Sequence, residues 1–179
     1  MFLHQKELQF EAKPDKPNPL IAKYLQELIG GQYGEMSVAM QYLFQGWSCR
    51  GEEKYKDMLM DIATEEIGHV EMLATMVARL LEGAPVEDQE AAMKKDPAIG
   101  AIISGMNPQH AIVAGLGPRP ADSVGNPWSG AYIIASGNLL ADFRANLNAE
   151  SQGRLQVARI YEMIDDRGVK DLLSVLASP

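Results

Sequence analysis

Apolar and polar residues alternate along this chain with the period of packed helices. Ile21, Leu25, Leu28, Gln32, Glu35, Ala39, Tyr42 and Gly46 are spaced alternately by four and three, which places them along one helical face. Asn18-Pro19 offers a cap and a first helical residue whose missing N–H costs nothing, so a helix is expected over 18–50. Gly30, Gly31 and Gly34 interrupt its propensity, by up to about 1 kcal/mol each relative to alanine, which predicts close approach of a neighbouring element. After a turn at Cys49-Arg50-Gly51, the residues Leu59, Ile62, Glu66, His69, Leu73, Met76 and Leu80 repeat the same spacing and predict a second helix over 54–82.

Prolines 85, 97, 108, 118, 120 and 127 make the stretch 83–127 a mostly irregular crossover, with a helical turn or two possible between Asp88 and Lys95. A third helix is expected over 129–165, its inner seam running through Ile133, Ser136, Leu140, Phe143, Leu147, Glu150, Arg154, Val157, Tyr161 and Ile164. Asp165-Asp166-Arg167-Gly168 reads as a turn, and Val169, Leu173 and Leu176 open a fourth helix over 168–178. Its seam would next reach positions 180 and 183, so the fourth helix is expected to be truncated. The expected architecture is all-α: a single domain over 1–179, built as a four-helix bundle with a long crossover between helices 2 and 3.

Four ionisable residues, Glu35, Glu66, His69 and Glu150, fall on core-facing seams of three helices, where an uncompensated charge is costly. Glu66-Ile67-Gly68-His69 is a Glu-x-x-His pair that directs a carboxylate and an imidazole toward one point. Together they make a mixed oxygen and nitrogen shell suited to manganese or iron. Each taken singly is more often a hydrogen-bonded core residue, and Arg154, one turn after Glu150, is a candidate salt-bridge partner. Tyr42 is placed either to donate to a ligand carboxylate or simply to fill the core.

The 24 acidic residues outnumber the 16 basic ones, for a formal charge of −8. With its cations scattered, the chain is not expected to bind nucleic acid. Cys49 is the only cysteine, so no intrachain disulfide can form, and a reducing cytoplasm is the expected location. No apolar run approaches the roughly 18 residues of a membrane helix, and a soluble protein is expected.

The stretches Gly30-Gly31-Gln32-Tyr33-Gly34-Glu35, Ala63-Thr64-Glu65-Glu66-Ile67-Gly68-His69-Val70-Glu71-Met72, Ser136-Gly137-Asn138-Leu139 and Arg154-Leu155-Gln156-Val157 resemble the non-haem manganese catalases, whose fold is ferritin-like. The resemblance implies two manganese ions per subunit that disproportionate hydrogen peroxide. Glu35 and His69 would serve one ion, Glu66 would bridge, Glu150 would serve the other, and Tyr42 would lie behind the ligands. It also implies a homo-oligomer, hexameric in known members, and partly covered apolar faces on the bundle point to association as well.

Asp57 and Asp61 match positions where some members bind calcium at a subunit contact, although a solvated acidic helix face explains them equally. The chain departs from the family in two ways. A second Glu-x-x-His, expected at 180 and 183, is not among these residues, and Ala149 stands where some members carry an arginine. His110 has no assigned role. A non-catalytic ferritin-like metal-binding or spore-coat-type structural protein with an incomplete site is the alternative reading, and a di-iron oxidase on the same fold is a third.

Overall fold

The computed structural model describes residues 3–82 and 105–177. The crossover segment 83–104, including the helical turns considered for Asp88 to Lys95, lies outside the described residues.

The first bundle helix is in two pieces, α1 (Pro19–Gly30) and α2 (Glu35–Ser48), rather than continuous over 18–50. Asn18 caps α1 as its spacing suggests, its side-chain oxygen accepting from the amides of Leu20 and Ile21 at 3.1 and 3.2 Å. The break follows from the glycines. A Cβ on Gly30 would lie 2.3 Å from the carbonyl oxygen of Ala121, and one on Gly34 would lie 2.8 Å from that of Ile29. Backbone from the crossover therefore packs directly against the end of α1. The interruption turns Gln32 outward, although the simple seam placed it inward.

α3 (Glu53–Leu81) packs along both α1 and α2, and its seam is buried much as the spacing requires, with Leu59, Leu73, Met76 and Leu80 fully enclosed. The described part of the crossover holds a short helix, α4 (Pro108–Ile112), an isolated bridge between Ala121 and Pro127, and a 3-10 turn at Gly130–Tyr132.

α5 (Leu139–Met163) begins later than the expected residue 129. Gly137 has φ +76°, a left-handed conformation that suits glycine and stops a helix. Asn138 then caps α5 by accepting from the amide of Ala141 at 3.1 Å. The inner seam in this half also differs from expectation. Leu140 and Leu147 are 62% and 69% exposed, whereas Asp142 and Asn146 are buried. Polar satisfaction explains the exchange. Asp142 accepts from the amide and hydroxyl of Ser136 at 2.8 and 2.7 Å. Asn146 accepts from Gln41 and Gln45 of α2 at 2.8 and 3.0 Å and donates to Gln45 at 2.7 Å. An amide ladder in which each contact is made can replace leucine packing without leaving orphaned groups.

α6 (Arg167–Leu176) is capped by Asp166, which accepts from Val169, and buries Val169, Leu172, Leu173 and Leu176 against α3 and α5. Two apolar clusters result. One unites α1, the second half of α3, the end of α5 and α6. The other gathers Val38, Tyr42 and Leu43 of α2 with Leu59 and Ala63 of α3 and Ala149 of α5. Glu35, Glu66, His69 and Glu150 line a cavity that both clusters border, Val38 and Ala149 from one and Val157 and Leu176 from the other. No helix of the described residues is long and apolar enough to cross a membrane.

Candidate metal centre

Glu35 is the first residue of α2, where the glycine break ends and where exposed helix N–H groups favour a carboxylate. Glu66 and His69 lie one turn apart near the middle of α3. Ligand atoms from Glu35, Glu66 and His69 all lie within 4.8 Å of one another. His69 Nδ1 is 2.8 Å from Glu66 Oε2 and 3.7 Å from Glu35 Oε2.

A cavity of about 260 Å³ opens over this cluster, and Tyr33, Tyr42, Glu150 and Arg154 share in lining it. Glu150 lies outside the tight group of three but in the same cavity. Its close partner is Tyr42, whose hydroxyl donates to Glu150 Oε1 at 2.6 Å. Arg154, proposed from the sequence as a partner, acts on Glu150 as a neighbouring positive charge.

The electrostatics reflect crowding of carboxylates in a buried site. Burial is the largest influence on Glu35; with the Glu66 carboxylate it outweighs the His69 contact and pushes the pKa up to about 8. Burial also favours the proton on Glu66, but hydrogen bonds with His69 and Glu35 prevail and hold its pKa below the usual value. Burial disfavours an imidazolium at 69, yet the two carboxylates overcome it and push His69 up to about 10. Glu150 is raised, chiefly by burial and further by Glu66, while Tyr42, Arg154 and His69 pull the other way. Burial and then the Glu150 carboxylate drive the Tyr42 phenol upward.

A divalent cation suits the same place. Two carboxylates and one imidazole, with no thiolate, form a donor set suited to manganese or iron. The negative charge that burial opposes is the charge a cation would neutralise.

The other candidates lie elsewhere. Asp57 and Asp61 are exposed on the first half of α3. His110 is fully buried in α4, its Nε2 bonded at 3.0 Å to Gln26 Oε1. Gln26 also donates to the carbonyls of Arg119 and Ala121 at 2.6 and 2.7 Å, so the histidine belongs to a clasp between the crossover and α1. Sequence reading passed over Glu65, whose Oε1 lies 3.9 Å from His69 Nε2. Its only signal was adjacency, as the first glutamate of Glu65-Glu66-Ile67-Gly68-His69.

Comparison with known proteins bears on this arrangement. The family described as manganese containing catalase matches residues 1–178. A protein from Bacillus subtilis named manganese catalase is 72% identical over 98% of this chain and 64% of its own length. One of the same name from Lactiplantibacillus plantarum is 47% identical over 98% of this chain and 65% of its own. The chain thus spans a little under two thirds of the length of these relatives. The crystal structure of wild-type KatB, a manganese catalase from Anabaena, superimposes with a TM-score of 0.78 at 33% identity, covering 99% of this chain and 73% of that one. The all-α, ferritin-like class expected from the sequence is borne out by this neighbour, and the chain belongs to the manganese-containing catalase family.

Proposed function

We propose that this chain supplies ligands for a dimanganese centre that disproportionates hydrogen peroxide to oxygen and water. The observation that carries the reading is the convergence of Glu35, Glu66 and His69 within 4.8 Å, beneath a cavity that Glu150 also lines. In this reading Glu35, Glu66 and His69 would hold manganese together with Glu150, as the family resemblance implies. A bound manganese pair would supply the two-electron redox capacity that converts two peroxides into one dioxygen and two waters.

The protein's own part is positional. Tyr42 fixes the direction of Glu150 through its 2.6 Å hydrogen bond, and Val38 and Ala149 of the apolar cluster close one side of the cavity. A cavity of about 260 Å³ has room for a substrate as small as peroxide without a dedicated binding apparatus.

The same reading places the protein in the cytoplasm as a homo-oligomer, hexameric as in the family. The exposed Phe44 and Trp47 on α2 and Leu140 and Leu147 on α5 favour association. Calcium at Asp57 and Asp61 would require further oxygen donors from outside this pair, because Ca²⁺ takes six to eight ligands in general.

The test is manganese content per chain and peroxide-dependent oxygen evolution, compared with Glu66→Ala. Two manganese ions per chain and oxygen release, both lost in the variant, are expected. Metal uptake without oxygen release above free manganese would favour a non-catalytic metal-binding protein, and absence of metal uptake would overturn the reading.

A further inference from the structure

We infer that Glu65 is a positioning residue for His69, holding the imidazole proton on Nε2 so that Nδ1 offers its lone pair to a metal; this rests on the metal-binding reading above. The two ring nitrogens face different surroundings. Nδ1 turns into the cluster, 2.8 Å from Glu66 and 3.7 Å from Glu35, while Nε2 faces Glu65 Oε1 at 3.9 Å. An imidazole that gives one nitrogen to a cation must carry its proton on the other, and an acceptor at that second nitrogen fixes both tautomer and ring orientation.

Glu65 has the right place and the right freedom. It precedes His69 by one helical turn, the spacing at which side chains on a helix meet, and it lines the same cavity. At 3.9 Å the contact is too long for a direct hydrogen bond. The Glu65 side chain is 64% exposed, however, so a small rotamer change closes the gap without disturbing the core. With Nδ1 given to a cation, the remaining N–H on Nε2 would face Glu65.

The experiment measures manganese affinity by chelator competition on the full chain for wild type, Glu65→Ala, Glu65→Gln and Glu71→Gln. Glu71 is the control, since it lies on the same helix but is paired with His4 at 2.8 Å. Loss of a partner to a ligating histidine weakens metal binding by about 10–100-fold. That loss is expected for Glu65→Ala, with partial recovery in Glu65→Gln, which keeps an acceptor, and no change in Glu71→Gln. In the zinc-loaded protein, the His69 Nε2 proton, followed by imidazole ¹⁵N–¹H spectra, is expected to exchange faster with water in Glu65→Ala than in wild type. Normal wild-type binding with unchanged affinity in Glu65→Ala overturns the assignment, as does an equal loss in Glu71→Gln. A wild-type chain that takes up no manganese overturns the dimetal reading itself, and this inference with it.

Discussion

Replacing Tyr42 by phenylalanine removes one oxygen atom from a residue that is 4% exposed and leaves the aromatic packing among Val38, Leu59 and Ala149 in place. The lost oxygen donates to Glu150 at 2.6 Å, the short distance of a hydrogen bond assisted by charge. Such bonds contribute about 1.5–3 kcal/mol when the acceptor is ionised, and a neutral pair contributes about 0.5–1.5 kcal/mol. The pKa of Glu150 is already raised by burial, so in wild type the folded state holds this proton more tightly than the unfolded state does. Stability from this group is therefore greatest below the unfolded pKa and falls as pH rises through the folded one.

Removing the Tyr42 donor extends that fall. The predicted loss in the metal-free chain is about 0.5–1.5 kcal/mol in acid, where Glu150 keeps its proton, and about 1.5–3 kcal/mol at high pH, once it has ionised. For a chain of this size each kcal/mol moves Tm by roughly 2–4 °C, so a loss of about 2 kcal/mol lowers it by roughly 4–8 °C. Thermal unfolding of wild type and Tyr42→Phe with chelator, in acid and at high pH, measures the difference. An equal loss at the two pH values, or a larger loss in acid, would refute the argument that the hydroxyl serves an ionised Glu150.

Gly30→Ala would drive a methyl group into the Ala121 backbone, and overpacking of this kind costs about 1–3 kcal/mol; urea unfolding is expected to show a lower midpoint with little change in slope. The raised pKa of His69, about 10, predicts that its contribution to the stability of the metal-free chain is complete below about pH 6.5 and is lost as pH approaches 10. Denaturation of His69→Gln should accordingly show a flatter decline in stability across that window than wild type, and an unchanged decline would show that other groups control it.

Helix positions were legible in the sequence because helical hydrogen bonds are local and the seam has a short period. Asn18-Pro19 marked the start of α1 and the Leu59-to-Leu80 series marked the buried face of α3, both from residues within a few turns of one another. The same locality put Glu66 and His69 on one face, since three residues of helix bring two side chains together whatever surrounds them. The resemblance to a known family was legible for a related reason: it lies in contiguous stretches.

Long-range packing decided the rest. The glycines at 30, 31 and 34 announced a close approach, but only the fold shows that Ala121 makes it at Gly30, that Gly31 and Gly34 instead meet the last turn of α1, and that the first helix breaks there. Leu140 and Leu147 have the spacing of core residues, yet Asn146 takes the interior because Gln41 and Gln45 of a distant helix satisfy its amide. Glu150 could be placed on an inner seam, but its partner proved to be Tyr42, 108 residues away. Periodicity along a chain reports which residues share a helix face; which groups meet across helices, and with what charge, depends on the rotation and separation of elements that no local interval encodes.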